Sequence, residues 1–81
     1  MEIFKTLVIS TANFHPDFIS SIENDNELIA VNTGAGYRIM VCDTDNGNLK
    51  EVFKIALDNG CQFIEIDCDG PVIDGLKTFN W

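Results

Sequence analysis

The chain has 81 residues, 46% of them hydrophobic, and sets 13 acidic residues against 5 basic ones for a net charge of −8. That length makes a single domain, residues 1–81, and the hydrophobic share makes it globular rather than disordered. The charge excludes direct binding to nucleic acid or to anionic membrane surfaces, which needs clustered Lys and Arg, and leaves two uses for the acids: solubility, or a basic partner.

No apolar run approaches the length of a membrane span, and Met1-Glu2 leads into a strand pattern without the apolar stretch of a secretory leader. Cys42, Cys61 and Cys68 are odd in number and lack C-x-x-C spacing, which fits a reduced cytoplasmic interior. A domain this small buries a modest fraction of its surface, and homodimerisation is a common remedy.

Phe4 to Ser10 is a nearly continuous apolar run and predicts a strand, with Thr11-Ala12-Asn13 as its exit turn. Pro16 suits the first turn of a helix, His15 its cap, and Asp17 complements the helix dipole. Phe18, Ile19 and Ile22 form the apolar stripe, and Asn24-Asp25-Asn26 ends the helix. Leu28 to Asn32 and Tyr37 to Cys42 predict a hairpin joined by Thr33-Gly34-Ala35-Gly36, with Tyr37, Ile39 and Val41 on one face. After the polar loop Asp43 to Gly47, Asn48 and Glu51 have capping-box spacing. Leu49, Val52, Phe53, Ala56 and Leu57 then follow a helical period, with Lys50, Lys54 and Asp58 opposite and Gly60 as the stop.

The last strand, Gln62 to Asp69, alternates in character. Ile64, Ile66 and Cys68 belong to its core face, and Phe63, Glu65, Asp67 and Asp69 to its outer face. Gly70-Pro71 breaks it, Asp74-Gly75 turns the chain, and Leu76 to Trp81 ends it with Phe79 and Trp81 docked. The order β-α-β-β-α-β predicts an α+β, ferredoxin-like two-layer sandwich. In that arrangement two helices cover one face of an antiparallel sheet, the first and last strands lie side by side, and both crossovers are right-handed.

Several residue groups resemble sites. Glu65-Ile66-Asp67-Cys68-Asp69-Gly70 has the spacing of the front half of a calcium loop, yet Leu76 stands where the bidentate Glu belongs and the preceding residues read as strand. Asp43 to Gly47 is oxygen-rich but has turn composition, and Gly34-Ala35-Gly36 lies between strands rather than opening a helix as a phosphate cradle does. His15 has no nucleophile beside it in sequence. Cys42 and Cys68 both come late in strands and are candidates to approach one another, but too few further ligands accompany them for zinc. Neither a metal, a cofactor nor a catalytic residue is therefore assigned.

Leu7-Val8-Ile9-Ser10-Thr11-Ala12, Asn59-Gly60-Cys61, Asp67-Cys68-Asp69-Gly70-Pro71, Asp74-Gly75-Leu76 and Trp81 resemble the pattern of a small bacterial domain family of unknown function. That family is associated with plasmids and other mobile elements. Its pattern has a histidine near the position where this chain has Asn13-Phe14, which argues against a histidine-based activity. The resemblance implies a context in which compact acidic proteins inhibit restriction or CRISPR machinery.

The functional expectation is a non-enzymatic interaction module presenting an acidic face to a protein partner with a basic groove. Its partner-binding residues are Glu65, Asp67, Asp69, Phe63, Asp74 and Trp81. The alternative is a small-molecule-binding regulatory domain that uses the open sheet face or a dimer interface; an enzyme ranks last, and fold class alone does not choose among them.

Overall fold

The computed structural model describes residues 1–80. Strand β1 (Thr6–Ser10) leads through a 3-10 turn, Thr11–Asn13, into helix α1 (Pro16–Ser21), which tightens into a second 3-10 turn at Ile22–Asn24. Strands β2 (Ala30–Asn32) and β3 (Gly36–Met40), helix α2 (Lys50–Asp58) and strand β4 (Phe63–Asp67) follow. Among the described residues, no helix is long and apolar enough to cross a membrane.

The element order matches the sequence reading, and the small α+β class with it. The ferredoxin-like arrangement does not. The four strands run β1-β4-β3-β2, so β1 and β4 are neighbours as expected, but β4 is interior and β1 is an edge. β1 and β4 pair in parallel, Leu7 opposite Ile64 and Ile9 opposite Ile66, so the sheet is mixed rather than antiparallel. β4 also pairs antiparallel with β3, Arg38 opposite Glu65 and Ile39 opposite Ile64. The second β-α-β unit thus joins antiparallel neighbours instead of closing a parallel crossover. Alternation fixes which face a side chain takes but carries nothing about which strand lies beside it. One local determinant of the β3–β4 pairing is Gly36: a Cβ there would stand 1.8 Å from the Ile66 carbonyl oxygen, so only glycine permits this approach.

Ile9, Ile39, Ile64 and Ile66 form the sheet's share of the core, and both helices pack into the same cluster through Phe18, Ile22, Val52, Phe53 and Ala56. Each fully buried side chain of this size contributes about 1.5–3 kcal/mol by leaving water. Phe53 is buried as predicted, but Leu57 is 62% exposed. The α2 stripe is narrower than its spacing implies: Val52, Phe53 and Ala56 are buried, whereas Leu57 lines an open groove beside Met40, Cys61 and Phe63. Cys68 is also exposed rather than on the core face, since β4 ends at Asp67 and the chain turns. Asp69 leaves the strand for the same reason.

The predicted capping box does not form. Leu49 occupies the N-cap of α2 without a side-chain bond, while Asn46 receives the Asn48 N–H on its side chain and the Leu49 and Lys50 N–H groups on its carbonyl. His15 does cap α1, its Nδ1 accepting the Asp17 N–H at 3.0 Å. Gly34 and Gly60 take positive φ at the hairpin and the α2 stop, as their positions require.

The segment after β4 is docked. Pro71 C=O accepts from Ser10 N–H at 2.9 Å and Ala12 C=O from Phe79 N–H at 2.8 Å. Asn13, buried between them, donates to the carbonyls of Lys77 and Ile73 and accepts from the Ile73 N–H. Ile73 and Leu76 lean on the core, and Phe79 meets His15 edge-on at 5.5 Å. The predicted docking of Trp81 lies outside the described residues.

Candidate functional site: the outer face of the sheet

One face of the sheet carries the helices; among the described residues no helix lies over the other, although Ser10 at one end of it is buried. Strand pairing sets its layout. Thr6, Val8 and Ser10 of β1 oppose Phe63, Glu65 and Asp67 of β4, which in turn oppose Met40, Arg38 and Gly36 of β3. Val31 of β2 opposes Arg38. The face therefore mixes apolar side chains with a few charges, and Val8, Val31 and Met40 are all exposed on it.

Phe63 anchors one end of it. The Arg38 guanidinium lies 5.0 Å over the Phe63 ring, and Phe4 meets the same ring edge-on at 5.8 Å. Arg38 also donates to Thr6 Oγ1 at 3.1 Å. Among the described residues, no Lys or Arg comes within 4.0 Å of a carboxylate, so Arg38 sits beside Glu65 in register without closing an ion pair. Lys5, another candidate to offset the acids, donates instead to the Asn59 carbonyl at 3.3 Å. The phenylalanine, rather than the acids, organises the cation, and sequence reading missed this because Phe4, Arg38 and Phe63 come from three separate segments.

Of the predicted partner-binding residues, Phe63, Glu65 and Asp67 share this face. Asp69 lies just beyond it on the turn, where its N–H donates to the Asp67 carboxylate at 2.8 Å. Asp74 is on an exposed turn of the tail, off the sheet, and Trp81 lies outside the described residues. Asp67, Cys68 and Asp69 offer ligand atoms within 4.8 Å of one another, two of the three residues exposed. The calcium-loop spacing nevertheless follows a strand, and one carboxylate already closes a turn. Cys42 and Cys68 do not approach: Cys42 follows the Met40 end of β3, whereas the Cys68 N–H bonds to Ala35 beyond the opposite end, roughly 17 Å away along a five-residue strand.

At the Phe4 end the face runs into a groove of about 430 Å³ lined by Phe4, Met40, Leu57, Cys61 and Phe63. A second hollow of about 340 Å³ lies between α2 and the tail, where Asn13, Glu51, Lys77 and Phe79 meet. An electrostatic network links the turn after α1 to the hairpin. Hydrogen bonds from Asn32 and then Tyr37 hold the Glu23 carboxyl below its ordinary range, and the bond to Glu23 raises the Tyr37 phenol. It ties the turn after α1 to β2 and β3.

No curated protein and no solved structure matches the chain significantly. The model of one family does match, over residues 6–81, and on that extent the chain belongs to the family of unknown function (DUF5983) C-terminal domain.

Proposed function

We propose that the protein is a small acidic interaction module, not an enzyme, that engages a basic surface on a protein partner. The contact residues are Phe63, Glu65 and Asp67 on the outer face, with Asp69, Asp74 and Trp81 from the turn and tail. The observation that supports this reading is the open face itself: an aromatic anchor flanked by exposed apolar side chains, with carboxylates that pair with no Lys or Arg among the described residues. Aromatic anchors inside a charged surround are the usual make-up of a binding patch. A groove that ordinarily holds nucleic acid is the basic surface this charge best matches, and inhibition of a mobile element's nucleic-acid-targeting adversary is the role that follows in a cytoplasmic setting.

Capture of partners by the tagged protein from its host cell, repeated across a salt series, tests the reading. The expected partner is a protein with a basic groove, held at low salt and released as salt screens the contact. A partner held equally at all salt concentrations overturns it. The second reading, a small-molecule regulatory domain, is favoured by the apolar groove beside Phe4 and Phe63, whose volume of about 430 Å³ suits a small ligand.

A further inference from the structure

β1 is an edge strand whose outer side, among the described residues, is open along Thr6 and Val8. Lys5 C=O accepts from the Gln62 and Phe63 N–H groups at 3.0 and 3.3 Å, so alternate residues from Lys5 onward turn their backbone toward β4. Thr6 and Val8 turn theirs away. Ser10, on the same outer side, has its N–H taken by Pro71 C=O at 2.9 Å, but among the described residues no strand or tail carbonyl reaches Thr6 or Val8. Folded proteins blunt such edges with charge, proline, a bulge or shortness. The other edge, β2, is only 3 residues long, whereas β1 has 5, no proline and no charge.

The distribution of charge identifies the occupant. Residues 3–16 contain one charged side chain, Lys5, in a chain of net charge −8. At this edge two copies can approach without bringing carboxylates together, whereas face-to-face packing through the outer sheet would juxtapose Glu65 and Asp67 with their counterparts; the β2 edge, also poor in acids, is the shorter one. We propose that β1 pairs antiparallel with β1 of a second copy, making one continuous sheet across a two-fold axis. The bond at Ser10 centres the pairing nearer the N-terminus, with Thr6 opposite Thr6 and Phe4 opposite Val8. Phe4 is 56% and Val8 37% exposed in the single chain, and the pairing brings them together as aromatic and β-branched cross-strand partners. Lys5 then faces Leu7, and about six new backbone hydrogen bonds close the seam. The axis is perpendicular to the sheet, so both outer faces lie on the same side of the dimer. The pairing stands on the edge geometry and the local charge and does not depend on the partner reading above.

A single strand pair buries less than the roughly 1,000 Å² of a stable interface, so the dimer is weak and its partly screened repulsion makes it tighter in salt. Sedimentation velocity on the whole chain, from about 20 µM to about 1 mM, reads it across the weak end of the affinity scale. The expected result is concentration-dependent dimer, increased by added NaCl. Amide exchange at Thr6 and Val8 should slow in the dimer, while Ser10 is slow throughout. Thr6→Glu gives Arg38 a carboxylate within the chain but sets two carboxylates opposite each other across the axis, and should weaken association at least tenfold. A chain that stays monomeric at the highest concentration overturns the proposal. So does a dimer in which the Thr6 and Val8 amides exchange as fast as in the monomer, a measurement on the unaltered chain that holds even if the variant misfolds.

Discussion

Asn13 reads in sequence as one more polar residue in an exit turn, and its partners lie 60 and 64 positions further on. It is among the few buried polar side chains, and its amide group makes three bonds to the tail. Asn13→Ala removes them and leaves the Ile73 N–H and the Lys77 carbonyl short of partners, at a cost of about 1–3 kcal/mol. Urea unfolding should show that loss, with faster amide exchange at Ile73; an unchanged midpoint would mean that the tail is held by its backbone bonds to Ser10 and Ala12 and by the packing of Ile73, Leu76 and Phe79. At the hairpin, the sole tyrosine reports on Glu23. The Glu23 carboxyl is lowered, so its contribution is present above its unfolded value and is lost as pH falls through the folded one. The Tyr37 phenol is raised, so its contribution is present below its unfolded value and is lost as pH rises through the folded one. The link therefore holds across neutral pH. Absorbance titration should find Tyr37 above the ordinary phenol value, and Glu23→Ala should bring it back down; the same titration curve in both proteins would break the assignment.

At the scale of elements, α2 separates what spacing reveals from what it does not. Phe53 and Leu57 are four residues apart on one stripe, yet Phe53 is 3% exposed and Leu57 62%. Phe53→Ala should cost about 3–5 kcal/mol as a large core truncation. Leu57→Ala should stay within about 0.5 kcal/mol, as surface changes do. Equal losses on thermal unfolding would show that Leu57 is covered in solution. The types of all six principal elements and the inward Ile64 and Ile66 were legible because periodicity is local. Strand order was not, because it follows from long-range contacts such as the Gly36–Ile66 approach, whose two halves are 30 positions apart. The acidic alternation of the candidate site was legible for the same local reason. The Arg38–Phe63–Phe4 cluster and the departure of Asp69 from the strand needed the tertiary fold.

For the molecule as a whole, the question is whether the charge of −8 does more than keep the chain in solution. Reversing Asp67 is a poor probe, because its carboxylate holds the Asp69 N–H and the turn would loosen with the charge change. Asp69 and Asp74 are better placed: both are exposed, and neither side chain makes a hydrogen bond or ion pair among the described residues. Replacing both with Lys changes the charge by two per position and takes the chain from −8 to −4. Self-repulsion falls, so the melting temperature should hold or rise slightly. Association with a basic partner should slow at low salt, with a shallower salt dependence and a dissociation rate that changes less. Stopped-flow association and a melting curve on the same preparation separate the outcomes. A stable double variant that binds as fast as the parent at every salt concentration would assign the acids to solubility and leave Phe63, Met40 and the apolar groove as the recognition surface.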